Sequence, residues 1–165
     1  MIVYLVGMPG SGKSTVGREL AGRLGVPFVD LDTEIEREAG ASVTEIFERE
    51  GEASFRALEA TALVKASMED PSVVACGGGI VLEPANRITL RNTGVAVYLD
   101  VPLDELRRRV PPAADRPLIR QEGDLERLLE ARAPLYREFA SNVVDGRPEP
   151  GAVAEAIVEE LRWSV

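Results

Sequence analysis

Gly7-Met8-Pro9-Gly10-Ser11-Gly12-Lys13-Ser14 fits the pattern G-x-x-x-x-G-K-[ST], which wraps backbone N–H groups around phosphate oxygens. Its glycines let the chain curl, and the helix that must follow adds partial positive charge at its N-terminus. Lys13 is placed to reach the β- and γ-phosphates of a nucleotide, and the Ser14 hydroxyl to ligate Mg²⁺. Gly10, Ser11, Gly12, Lys13, Ser14 and Thr15 are therefore the candidate ATP-binding residues. A glycine-rich turn carrying a solvated lysine is the structural alternative. The context argues against it: the apolar run 2–6 precedes the loop, and an amphipathic stretch with Val16, Leu20 and Leu24 follows.

Four further groups could do chemistry. Asp30 and Asp32 are read as ending a strand with both carboxylates on one face, one for Mg²⁺ and one for an acceptor hydroxyl. Asp32 as a plain helix cap is the competing reading, and the pair alone does not choose. Arg56 and Glu59 are three apart on a helix, so the carboxylate can pose the guanidinium to grip an anionic substrate by two parallel hydrogen bonds. The same spacing also describes an ordinary surface ion pair. Gly77-Gly78-Gly79 follows an apolar run and permits close approach of a ligand to backbone. Arg132, in Ala131-Arg132-Ala133-Pro134-Leu135-Tyr136, lies on a helix, where solvent exposure is the default.

The elements that must position these groups alternate. Strand-like runs at 2–6, 28–31, 72–76, 95–99 and 142–144 are separated by helical periodicity at 13–24, 32–39, 43–69, 103–109, 124–139 and 151–162. This predicts a three-layer α/β domain with a parallel sheet covered on both faces. The 43–69 stretch is expected to be two helices broken near Gly51. Residues 110–123 carry three prolines and no period, and are expected to form a lid that is mobile until substrates bind.

Composition narrows the function. The 165 residues show no internal break and predict one domain over 1–165, and 45% hydrophobic residues suffice for one core. A formal charge of −9 argues against a nucleic-acid partner. No apolar run reaches the roughly 20 residues a membrane-spanning helix needs, and the 2–6 run reads as a buried strand rather than a secretory segment. With one cysteine, Cys76, and no histidine, neither an internal disulfide nor a His base is available, and a reducing cytoplasmic setting is expected. Only Lys13 and Lys65 among the 19 basic residues are lysine, which sharpens the reading of Lys13. The sequence lacks an Asn-Lys-x-Asp guanine motif and is short for a motor, so a small-metabolite kinase fits best.

The order P-loop, Asp30-x-Asp32, Phe55-Arg56-x-x-Glu59, Gly77-Gly78-Gly79, Arg116-Pro117-Leu118 and Arg132-x-Pro134-Leu135-Tyr136 resembles shikimate kinase over nearly the whole chain. The resemblance implies five parallel strands in the order 2-3-1-4-5. The activity it implies is transfer of the ATP γ-phosphoryl group to the 3-hydroxyl of shikimate. It makes Asp32 the acid facing that hydroxyl, Arg56 and Arg132 the grip on the shikimate carboxylate, and Gly78 a backbone contact. Ser14 and Asp30 would serve Mg²⁺, and Arg116, following Asp115, would be the lid arginine that swings onto the phosphates. Lys13, Asp32 and Arg116 are then the catalytic set, and Arg109 resembles an arginine that stacks on adenine. Val43, Phe47, Phe55, Pro117 and Leu118 would wall the carbocyclic ring. A monomer acting on ATP and shikimate is expected. Two features depart from the family: Pro111-Pro112 stands where members often carry a more flexible lid, and 147–150 matches in position but poorly in type. The rivals are a gluconate kinase and a non-catalytic shikimate-binding regulator; the Gly77–Gly79 run combined with the Arg132-Ala133-Pro134-Leu135-Tyr136 helix disfavours the first, and retention of Lys13 and Asp32 disfavours the second.

Overall fold

Every residue of the strand β1 (Ile2–Val6) is buried, and alternate residues feed two different cores. Ile2, Tyr4 and Val6 join one cluster, while Val3 and Leu5 join the other, as the two-residue period of a strand dictates. A strand buried on both faces reads as an unbroken apolar run, and it belongs in the middle of a parallel sheet. The computed structural model describes residues 1–113 and 116–163, and Asp115 lies outside the described residues.

Around β1 the chain runs α1 (Lys13–Leu24), β2 (Phe28–Asp30), α2 (Leu31–Ala39), α3 (Val43–Ala66) and β3 (Ser72–Ala75). A 3₁₀ turn (Ile80–Leu82), α4 (Pro84–Thr93), β4 (Gly94–Asp100), α5 (Leu103–Arg109), α6 (Asp124–Phe139), β5 (Asn142–Asp145) and α7 (Pro150–Trp163) follow. The five strands are parallel in the order β2-β3-β1-β4-β5. Helices α1 and α7 cover the face of Val3 and Leu5; α2, α3, α4 and α6 contribute to the core on the other. The expected three-layer architecture and strand order therefore hold. From β1 the chain winds first toward β3 and β2 and then back toward β4 and β5, and the crevice beyond the carboxyl end of β1 is where ligands bind in such sheets.

Three local expectations change. β2 stops at Asp30, so Asp32 lies not on a strand but in the first turn of α2. The cap of α2 is Asp30, whose side chain accepts from the Thr33 N–H, and not Asp32. Helix α4 is additional to the periodic segments, because Pro84–Thr93 holds only Ile88 and Leu90 as large apolar residues. Its local signals are proline at the first position and Gly94 just past the end. The break in α3 falls where expected: Gly51 has φ 85° and ψ 172°, outside any helical basin. That turn redirects α3 so that Val43 and Phe47 before it, and Phe55, Arg56 and Glu59 after it, line one cavity.

Gly51→Ala tests this geometry. Among the described residues no atom lies within 4 Å of the added Cβ, so the cost is torsional rather than steric. The expected loss is about 1–3 kcal/mol of stability by urea denaturation, with Cm falling at constant m.

Candidate active site

Two cavities meet at the crevice. The first, of about 320 Å³, is lined by Pro9, Gly10, Gly12, Lys13, Ser14, Thr15, Asp30, Asp32, Cys76, Gly77 and Gly78. The second, of about 240 Å³, is walled by Val43, Phe47, Phe55, Pro117, Leu118 and Ile119 and carries Asp32, Arg56, Glu59, Arg116 and Arg132. Pro9, Asp32, Gly77 and Gly78 belong to both, so Asp32 stands on the boundary.

The first cavity is built by the loop between β1 and α1. Gly10 and Gly12 take φ of 80° and 93°, a left-handed region that glycine enters freely. Val110 packs so close to Gly10 that a Cβ there would sit 2.0 Å from its Cγ2. Lys13 Nζ donates to the carbonyls of Gly7 (2.9 Å) and Met8 (2.8 Å), which arch over it. Burial pulls its pKa down to about 8, with Asp32 opposing. The Ser14 hydroxyl donates to Asp30 Oδ2, placing two oxygen ligands side by side. Such a pair suits Mg²⁺, a hard ion that takes one or two protein oxygens and fills its octahedron with phosphate and water. Arg109 braces the far rim: it donates to the carbonyls of Gly10 (3.3 Å), Gly146 (3.0 Å) and Arg147 (3.2 Å), and pairs with Glu105 at 2.8 Å.

The second cavity is organised by charge on a bed of glycine. Arg56 pairs with Glu59 at 2.9 Å, and Glu59 is 0% exposed, so this is no surface ion pair. Glu52 braces the same guanidinium at 3.2 Å. Arg132 is only 3% exposed, which corrects the solvent-facing default for a helical arginine. Each glycine of the 77–79 run makes room for one of these groups. A Cβ on Gly79 would stand 2.2 Å from Arg56 Nη1, on Gly78 3.1 Å from Arg132 Nη1, and on Gly77 2.7 Å from Glu59 Oε2 and 3.1 Å from Asp32 Oδ1. Those last two carboxylate oxygens are buried and accept no hydrogen bond among the described residues. Burial raises the pKa of both acids, Lys13 opposing the rise at Asp32 and Arg56 at Glu59. Phe47 and Phe55 pack at 4.9 Å between ring centres, and the Arg56 guanidinium lies 5.3 Å from the Phe55 centre.

Most of the expected residues line the two cavities, but Arg109 and the fully buried Ser11 line neither, and two further differences stand out. Arg116 lines the second cavity beside Pro117 and Leu118 and is not among the residues lining the first. Glu59, expected only as a support for Arg56, itself lines the cavity, as do Thr44, Gly77, Gly79 and Ile119. Thr44 and Ile119 give no signal in sequence because each is an ordinary residue brought in by the fold.

A phosphate-cradling loop with a lysine and a Ser–Asp oxygen pair, opening through one carboxylate into a cavity with two arginines, defines a P-loop kinase for a small anionic acceptor. The shikimate kinase family model matches residues 9–162, and the chain belongs to that family. A shikimate kinase from Aromatoleum aromaticum is 46% identical over 98% of this chain and 95% of its own length. One from Halorhodospira halophila is 47% identical over 97% and 93%. Among solved structures, shikimate kinase from Acinetobacter baumannii in complex with shikimate superposes with a TM-score of 0.94 at 38% identity, over 99% of this chain and 93% of that one. A sugar kinase from Janibacter, at 20% identity and a TM-score of 0.57, shares the fold alone.

The packing of Arg56 on Gly79 makes a paired prediction. Arg56→Lys keeps the charge but loses the planar fork, and Gly79→Ala keeps the fork but displaces it. Both are expected to weaken shikimate binding more than about tenfold by calorimetry while ATP affinity stays unchanged. An Arg56→Lys protein with wild-type shikimate affinity would leave Arg56 a structural ion pair.

Proposed function

We propose that this chain phosphorylates the 3-hydroxyl of shikimate with ATP, giving shikimate 3-phosphate and ADP. The observation that carries the reading is Asp32, whose buried oxygen, unpartnered among the described residues, faces the boundary of the two cavities. One side can hold a triphosphate, and the other can hold a ring bearing a carboxylate and hydroxyls. Arg56 and Arg132 supply fixed forks for the carboxylate, Phe47 and Phe55 supply apolar contact for the ring, and Gly78 supplies backbone.

In the transfer, the bond from the acceptor oxygen to the γ-phosphorus forms while the bond to the β,γ-bridging oxygen breaks. The hydroxyl proton passes to Asp32, whose raised pKa makes it a stronger base than an exposed carboxylate. Lys13 neutralises charge on the β- and γ-oxygens, and Ser14 and Asp30 would hold Mg²⁺, which would supply further positive charge to the transferring phosphoryl group. The transition state is loose, so positioning and charge neutralisation carry most of the rate. Arg116 lines the acceptor cavity on a segment linked to the scaffold by the buried Ile119 and by the Arg120–Glu48 pair at 3.7 Å. Movement of 110–123 would carry Arg116 from the acceptor wall to the γ-phosphate and exclude water. The proposal assigns every role to residues of one chain and takes the protein as a monomer.

ATP turnover measured with and without shikimate tests the reading, with strong stimulation expected; gluconate is the control that separates the sugar-acid alternative. Asp32→Asn keeps size but loses the charge and the proton acceptor. It is expected to lose turnover by about 10²–10⁴-fold while binding both substrates. Because Asp30 and not Asp32 caps α2, its melting temperature should barely move. Near wild-type turnover in this variant would remove Asp32 from the chemistry.

A further inference from the structure

One buried polar group beside the acceptor cavity has no part in the mechanism above. Tyr136 is 0% exposed, yet its hydroxyl reaches across from α6 and donates to the carbonyl of Gly78. Arg132 lies one helical turn earlier on the same face of α6, and its charge opposes the rise in the phenol's pKa. Gly78 closes the triangle, since a Cβ on it would stand 3.1 Å from Arg132 Nη1. Burial raises the pKa of the phenol far above neutrality, so it remains a donor.

The ring of Tyr136 is fixed from behind by the sheet. It stacks on Tyr98 of β4 with centres 5.0 Å apart and planes at 27°. Tyr98 in turn donates to Asp100 (3.3 Å), and Asp100 pairs with Arg137 at 2.6 Å. A rigid strand therefore sets the ring, and the ring sets the hydroxyl. Because the peptide is planar and trans, fixing the Gly78 carbonyl also fixes the Gly79 N–H, which must point the opposite way. A run of three glycines has little torsional preference of its own, so without such a tether its peptide planes would be free to rotate.

We propose that Tyr136 is a positioning residue for acceptor specificity, its hydroxyl locking the Gly78–Gly79 peptide, against which the Arg132 guanidinium packs, into one fixed carboxylate-recognising surface. The inference rests on the reading of Arg132 and Gly78 as acceptor-binding groups. The hydroxyl touches neither substrate; it lowers the entropy cost of arranging the groups that do. A tyrosine serves here where phenylalanine would pack equally well, because the stack with Tyr98 needs only the ring.

Tyr136→Phe isolates the hydroxyl, and Tyr98→Phe is the control that removes a hydroxyl from the same stack without touching Gly78. In Tyr136→Phe, KM for shikimate is expected to rise about fivefold to tenfold, with KM for ATP within about twofold of wild type. Tyr98→Phe should keep wild-type KM for both. Site-specific replacement of Tyr136 by 3-fluorotyrosine, which alters the ring but retains the hydroxyl, should keep the shikimate KM near wild type. An unchanged shikimate KM in Tyr136→Phe would overturn the proposal. So would a joint rise in both KM values, an equal defect in Tyr98→Phe, or a Tyr136→Phe protein that does not fold, since each makes the hydroxyl a general brace. The parent is scored in the same assay: an inactive parent would strike the shikimate reading itself, whereas an active parent with an indifferent Tyr136→Phe would strike only this inference.

Discussion

Arg56 and Glu59 form an ion pair inside the protein, and the acceptor side of the site is arranged around the cost of keeping it there. Burying two charges costs several kcal/mol for each ion, and even a well-formed pair seldom recovers more than that. A pair of similar apolar residues would serve stability as well. The cost is accepted where a fixed guanidinium is needed, and here the fork is held by Glu59 on one side, Glu52 on another and the glycine run beneath it. The glycines are therefore not a flexible hinge but a floor with no side chains, across which Arg56, Arg132, Glu59 and Asp32 converge.

That convergence sets the electrostatics of the whole crevice. Among the described residues, Glu59 Oε2 and Asp32 Oδ1 are both buried without a hydrogen bond, a combination that structures seldom leave uncompensated. Hydroxyl donors on an acceptor ring would satisfy them, and the two arginines would bind its carboxylate. A site that presents unpartnered acceptors and donors in fixed positions discriminates strongly against ligands lacking the matching groups. On the proposed reading, specificity for a small hydroxylated acid and readiness for catalysis draw on the same buried charges.

The division of labour between the two cavities follows the winding of the sheet. β1 delivers the phosphate loop, β2 delivers Asp30 and, in the first turn of α2, Asp32, and β3 delivers the glycine run, all at their carboxyl ends. β4 and α6 supply the Tyr98–Tyr136 stack behind it. No helix among the described residues is long and apolar enough to cross a membrane, and the apolar content goes into the two cores that hold these ends in place.

The phosphate loop, the alternation of strands and helices, and the break at Gly51 are all legible in the sequence. Each depends on local rules: glycine torsions, a strand period of two, a helix period of 3.6. The apolar wall of Phe47 and Phe55 and the proposed grip of Arg56 and Arg132 follow from a family resemblance rather than from spacing. What the linear chain does not reveal is burial. Nothing local distinguishes Arg132 from the solvated arginines of the same helix, or the Arg56–Glu59 pair from surface pairs of equal spacing such as Glu34–Arg37. The end of β2 at Asp30 goes with a local cap, the Thr33 N–H on Asp30, and the helix at Pro84–Thr93 has local end signals but too few large apolar residues to show a period. Residue type and local torsion are properties of short segments, so the chain read in one dimension already specifies which chemistry is possible. Which of those charges lose their water and meet over Gly77–Gly79 is settled in three dimensions, because desolvation depends on segments that are distant in the chain and adjacent in space.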